Sequence, residues 1–240
     1  MTSPDYLDSP DVTGRRGRVV VAACLVPTSV AHAADTVRLD GVPVRLQPGT
    51  AQVVTVDHTG GHHARVTLWR LAEGRWERRL RADDGRIGYG GLVVGDRRRQ
   101  GTGTTPLGTY PLSWAFGTHE PDDRWDLRYR EIRRGDFWVQ DNRSAYYNRY
   151  RNQRDGGFRW WLPASDINAS ERLTDFGRQY EWSIVIGFNT EQVRHRGSGI
   201  FLHVNGRGAT AGCVSAPRAF IRTLMRRLDP DLHPVIAIGR

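Results

Sequence analysis

The chain contains no lysine; all 35 of its Lys+Arg residues are arginine. That usage fits a genome biased towards G and C, since Arg codons are rich in both. The formal net charge is +9, and a basic protein outside the cell is drawn to anionic polymers. The arginines are scattered over the whole chain, not gathered on one helix or arm, which argues against a nucleic-acid partner. There are only two cysteines, Cys24 and Cys213. Beyond one short N-terminal stretch, no hydrophobic run approaches membrane-spanning length. No internal repeat and no low-complexity linker is found. With 38% hydrophobic and 10% aromatic residues, the chain is not of the disordered class.

What is present begins with the N-terminus. "GRRGR" (14–18) is a basic segment, "VVVAACLVPTSV" (19–30) a short apolar one, and "AHA" (31–33) has the small-x-small form of a signal peptidase site. Together they predict a secretory signal over 1–33, too short for a membrane span. Pro27 and the A-x-A sequence argue against an ordinary first helix. "VAAC" (21–24) resembles a lipobox but lacks the apolar stretch before it, and Arg15-Arg16 could belong to a twin-arginine signal but lacks the apolar residues after it. The charges of 1–33 cancel, Arg15, Arg16 and Arg18 against Asp5, Asp8 and Asp11, so the mature chain keeps its whole positive charge. The expectation is a secreted, extracytoplasmic protein of the cell wall. Its basic surface is expected either to meet the wall's anionic polymers and peptidoglycan stem carboxylates or to be merely solvated, with no stable membrane span after cleavage. Residues 34–240 suffice for one domain with a real core. Cleavage after Ala33 removes Cys24 and leaves Cys213 alone. An exported protein usually pairs its cysteines or omits them. A leftover thiol is either reactive, bridged to another chain, or a buried small hydrophobe.

Strand-like runs dominate the rest. "AQVVTVDH" (51–58), "ARVTLWRL" (64–71) and "RWERRLRA" (75–82) alternate or are β-rich, with Gly and Asp turns between them. "GTYPLSWAFG" (108–117), "DFWVQD" (136–141), "YEWSIVIGF" (180–188), "GIFLHVNG" (199–206) and "HPVIAIG" (233–239) continue the pattern. One helix is predicted over 215–228 from the spacing of Phe220, Ile221, Leu224, Met225 and Leu228, with Ser215 as N-cap and Pro217 in the first turn. The predicted class is mainly β, a mixed sheet or sandwich with one short C-terminal helix. Residues 118–179, irregular and rich in Arg, Asp, Tyr and Trp, suit a lid or substrate-facing insertion.

A cysteine just ahead of a helix start lies near the positive end of the helix dipole, which predicts a lowered thiol pKa. Gly212 allows close backbone approach, and the N–H groups of Gly212 and Cys213 could form an oxyanion hole. His203 stands ten residues upstream at the end of an apolar strand, and "VNGRGATAG" (204–212) has the glycines to loop back. Cys213 as nucleophile and His203 as base could therefore meet.

These residues resemble the L,D-transpeptidase (YkuD-type) signature. "IFLHVNGRGATAGCVSAP" (200–217) has the His closing a strand, a Gly-containing loop (Gly206, Gly208), then Thr210-Ala211-Gly212-Cys213 and apolar Val214. Upstream, "GLVVGDRRRQGTGTTPLGTYPL" (91–112) is similar to the family segment in which a Gly-rich turn precedes "TP-x-G-x-Y". "FWVQDNRSAYYN" (137–148) and "YEWSIVIGFNT" (180–190) also resemble strings of related actinobacterial-type sequences. Two departures mark a divergent branch: Ala211 stands where the family commonly has histidine, and the His-to-Cys loop is short. The resemblance implies a YkuD-like fold and a cysteine acyltransferase. Cys213 would attack the carbonyl of the L-centred third residue of a tetrapeptide stem and expel D-alanine, with His203 moving the proton. An amine acceptor would give a 3→3 crosslink, and water would make the enzyme an L,D-carboxypeptidase. Thr210 would fix the loop or touch substrate. Asn205 and Arg207 are candidates for binding stem carboxylates, or plain loop residues. No cofactor is implied.

"DHTGGHH" (57–63) has close histidines but no cysteine or clear fourth ligand, and its glycines suit a hairpin tip, so no metal is assigned. Papain-like and NlpC/P60 peptidases place Cys before His, and sortases carry a Thr-Leu-x-Thr-Cys string that is absent here. A wall-binding module that kept the fold and lost turnover is the non-enzymatic alternative.

Overall fold

The computed structural model describes residues 35–240; the signal expected over 1–33, with Cys24, lies outside them. The chain opens with a hairpin of β1 (Thr36–Leu39) and β2 (Val42–Arg45). Three long strands follow: β3 (Gln52–Gly60), β4 (His63–Ala72) and β5 (Arg75–Arg86). Next come β6 (Leu92–Val94) and the thirteen-residue β7 (Thr105–Gly117). The irregular region holds only short strands: β8 (Arg128–Glu131), β9 (Asp136–Trp138), β10 (Tyr150–Asn152) and β11 (Glu171–Arg172). The chain ends with β12 (Trp182–Ile186), β13 (Phe201–Val204), β14 (Val214–Ala216), helix α1 (Arg218–Met225) and β15 (Val235–Gly239).

The strand pairings close on themselves. The order β12-β13-β14-β5-β4-β3-β15-β7 is completed by a β12–β7 pairing, so the ladder forms a ring, with β6 and β8 attached to β7. A closed ladder leaves few unpaired strand edges. Most pairs are antiparallel, but β13–β14, β15–β3, β6–β7 and β7–β8 are parallel. Among the described residues this is the expected mainly β architecture, with α1 as its one short α-helix.

Alternation sorts the side chains, because successive strand residues face opposite sides. Ile184 and Ile186 of β12, Leu202 and Val204 of β13, and Val214 and Ala216 of β14 enter the main core with the apolar face of α1. Val185 and Phe201 point the other way, into an aromatic cluster with Phe116, Trp138, Tyr180 and Cys213. The β1–β2 hairpin covers a third patch on β3 and β15.

Two sequence expectations need correction. The helix spans Arg218–Met225, not 215–228, and Ser215 is not its N-cap. Val214–Ala216 pair with β13 instead, and Pro217 occupies the cap position with no side-chain cap bond. Burial of Val214 and Ala216 in a parallel ladder outweighs the local helix signal. Strand β12 begins at Trp182, two residues later than expected, because Gln179–Glu181 forms a 3₁₀ turn. Leu228, beyond the helix, is still fully buried in the core.

Candidate active site

The register of β13 and β14 builds the site. His203 pairs with Ser215 and Leu202 with Val214, so His203 and Cys213 lie diagonally across the pair on one face. Phe201 N–H donates to Cys213 Sγ at 3.4 Å, which puts those two residues opposite each other one step further along. The loop between the strands steps out to a neighbouring segment and returns. Thr210 N–H donates to Ile87 O, and Tyr89 N–H donates to Thr210 O. Thr105 Oγ1 accepts from Gly88 N–H and donates to Gly212 O, both at 2.8 Å. Three separate stretches are thus tied directly behind the thiol.

Cys213, His203, Thr210 and Arg207 all line one cleft, of about 680 Å³. The barrel supplies one wall. Residues of 118–181 supply the other, including Gln140, Trp160, Glu171 and Tyr180. The irregular region expected to face substrate does face the cleft.

His203 is buried, and its Nδ1 lies 2.8 Å from the Val204 carbonyl. A carbonyl only accepts, so Nδ1 carries the proton and Nε2 keeps a lone pair. Burial pulls the His203 pKa down to about 4, against the opposing pull of the Val204 carbonyl. The imidazole is a neutral base at neutral pH. Tyr180 packs edge-on against it, with ring centres 5.5 Å apart.

Cys213 departs from expectation. Burial pushes its thiol up to about 12; Glu171 adds to this, while the Phe201 N–H and Arg98 oppose it. The predicted helix-dipole activation fails because β14 and Pro217 separate the thiol from α1. The S–H donates instead to Gly199 O at 3.3 Å. At rest the site therefore holds a thiol and a neutral imidazole, not an ion pair.

Gly212 has φ of +130°, where a side chain would be strained, and an added Cβ would lie 2.7 Å from Arg98 Nη2. Its N–H donates to Thr210 Oγ1 at 3.2 Å, so an oxyanion would compete with that hydroxyl for it. Thr210 Oγ1 itself donates to Cys213 O at 2.6 Å, which makes Thr210 a brace for the cysteine's backbone. Asn205 turns away from the thiol: its amide donates to Asp84 O at 2.7 Å and its carbonyl accepts from Ser215 Oγ at 2.7 Å. Arg207 is exposed at the cleft rim.

Sequence reasoning missed three cleft residues. Glu171 accepts from Tyr180 Oη and from Gln140 Nε2, and burial raises its carboxyl to about 7. Arg98 is 4% exposed beneath Gly212, and Ser198 is buried on the same side. The string "GDRRRQ" (95–100) contained Arg98, but nothing local separates it from its exposed neighbours Arg97 and Arg99. The histidines of "DHTGGHH" sit at the β3–β4 hairpin tip, where His62 and His63 stack at 4.3 Å.

A family model described as the L,D-transpeptidase catalytic domain (YkuD) matches residues 64–236. No curated protein matches the chain.

Proposed function

Because the chain belongs to the YkuD family of L,D-transpeptidase catalytic domains, we propose that it is an exported cysteine acyltransferase that acts on peptidoglycan stem peptides and forms 3→3 crosslinks. The observation that carries this reading is the register of β13 and β14. It sets Cys213 and His203 on one face of one cleft, with the imidazole in the tautomer a general base needs.

The reaction follows from that geometry. His203 Nε2 takes the thiol proton as Sγ attacks the carbonyl carbon of the L-centred third stem residue. The tetrahedral oxyanion is held by backbone N–H groups at Gly212 and Cys213. The C–N bond then breaks, the imidazolium returns its proton to the departing amine, and D-alanine leaves with a thioester on Cys213. A stem side-chain amine attacks the thioester and gives up a proton to His203, and the thiol is restored. Water in the place of that amine makes the protein an L,D-carboxypeptidase. The positive charge of the mature chain suits residence among anionic wall polymers.

A second reading, a wall-binding module without turnover, draws support from the buried thiol and its raised pKa. Intact mass spectrometry separates the two. Mature protein incubated with a synthetic tetrapeptide stem ending in D-alanine is expected to gain the acyl mass and release D-alanine, and Cys213→Ser to do neither. Binding of the stem with no acylation and no D-alanine would support the module.

A further inference from the structure

Arg98 is a buried cation without an anion. Its side chain runs between two glycines: an added Cβ on Gly197 would fall 1.5 Å from Nη1, and one on Gly212 would fall 2.7 Å from Nη2. Only bare backbone leaves room for it. Nε donates to Thr104 O at 2.7 Å and Nη1 to Arg196 O at 3.2 Å. Among the described residues no carboxylate pairs with it and Nη2 has no hydrogen-bond acceptor. A guanidinium carries five donors in a fixed fork, so donor capacity remains on the side next to Gly212. Burial lowers its pKa from the ordinary arginine value, as expected for a desolvated charge.

Ser198 repeats the pattern. It is 6% exposed, and its hydroxyl has no hydrogen-bond partner. Tyr147 Oη, nearby, donates to Gln100 Oε1 and accepts from Gly197 N–H, so it has at most one lone pair left for the Ser198 hydroxyl. Arg98 and Ser198 line the same cleft as Cys213, and Ser198 adjoins Gly199, whose carbonyl accepts the hydrogen bond of the thiol S–H. A buried, unpartnered Ser198 hydroxyl beside a guanidinium with spare donor capacity and no carboxylate points to a ligand that supplies the acceptors.

We propose that Arg98 and Ser198 form a carboxylate subsite that holds the free C-terminal carboxylate of the leaving amino acid. This rests on the acyl-transfer reading of Cys213. In a stem that ends one residue past the scissile bond, the carboxylate carbon is three bonds from the carbonyl carbon under attack. The guanidinium lies against Gly212, the chain neighbour of Cys213, so the spacing matches one residue. A planar fork and a hydroxyl match a planar carboxylate. A carboxylate here completes the hydrogen bonding of both residues and aligns the scissile carbonyl over Sγ. The subsite thus selects stems whose leaving residue is a free acid.

The test compares two donors: a synthetic tetrapeptide stem ending in D-alanine, and the same peptide as its C-terminal carboxamide. Acylation of Cys213 is followed by intact mass over a range of donor concentrations. Hydrogen bonds to charged groups contribute about 1.5–3 kcal/mol, so wild type should acylate from the acid about 10- to 100-fold more efficiently than from the amide. Ser198→Ala and Arg98→Gln should narrow that ratio towards one, mainly through KM, and Arg98→Lys should restore part of it. The wild-type comparison needs no variant, so a folding defect in Arg98→Gln leaves the test standing. Equal acylation of wild type by acid and amide would overturn the subsite and leave acyl transfer intact. Failure of both donors to acylate would overturn the acyl-transfer reading, and the subsite with it.

Discussion

The two walls of the cleft are built differently. The barrel wall is held by backbone ladders and an alternating apolar core, and its central side chains are fully buried hydrocarbon. The wall from 118–181 is held by polar side chains and stacked rings. Asp136 accepts from Tyr150 Oη at 2.6 Å and from Arg133 N–H at 2.7 Å, and Asp141 accepts from Arg159 Nε at 2.8 Å. Arg151 stacks over Tyr146 at 3.4 Å, and Arg130 over Tyr150 at 4.0 Å. Cys213 and His203, the nucleophile and base of the proposed reaction, belong to the first wall, whereas Glu171 and Tyr180 belong to the second. The groups proposed to react thus sit where the backbone is most constrained by ladder pairing.

That contrast is broken most strongly from the barrel side. Leu202→Ala removes a fully buried side chain from the main core and should cost about 2–5 kcal/mol in a denaturant titration. The thiol should become accessible only as the whole domain unfolds. Asp141→Asn removes the charge of a carboxylate that is 1% exposed and paired with Arg159. It should cost about 1–3 kcal/mol. Its effect should be local, with faster proteolytic cutting inside 142–168 and little change in acylation of Cys213. Matching global losses in both variants, with no local cutting in the second, would mean that the two walls unfold as one.

The smallest effect sharpens the comparison with pH. The Glu171 carboxyl is raised to about 7 by burial, so its neutral form is favoured in the folded protein. The stability this group gives is fully present below its unfolded pKa and is lost as pH rises through 7. Glu171→Gln mimics the neutral acid. It should leave Tm unchanged at pH 5 and raise it by a few degrees at pH 8. A destabilised Gln variant at pH 8 would instead mean that the carboxylate form is the one the wall is built around.

Legibility in the sequence followed the same division. The long strands β3, β4 and β5 were visible because apolar residues recur there within runs bounded by turn residues. The ring closure through β12 and β7 was not visible, since it depends on pairings more than sixty residues apart. Cys213 and His203 could be found because the loop between them is short and rich in glycine. Their protonation states could not, because these depend on what covers them. A strand stands between Cys213 and α1, and that removes the dipole effect. The surrounding aromatic cluster supplies the burial that raises the thiol instead. Arg98 stayed hidden because its chain neighbours Arg97 and Arg99 are exposed, and Glu171 because only the fold brings Tyr180 and Gln140 to its carboxylate.

The most direct measurement follows two reactions of Cys213 from pH 5 to pH 9, alkylation by iodoacetamide and acylation by the D-alanine-terminated tetrapeptide stem. Alkylation needs free thiolate, so with a thiol pKa near 12 it should be slow at pH 6 and rise about tenfold per pH unit. Acylation uses the neutral His203, whose pKa is near 4, so it should stay flat over the same range. His203→Ala should lower acylation about 10²- to 10⁴-fold and leave the alkylation slope unchanged. Fast alkylation already level at pH 6 and slowed by His203→Ala would contradict the neutral pair and indicate a preformed thiolate–imidazolium.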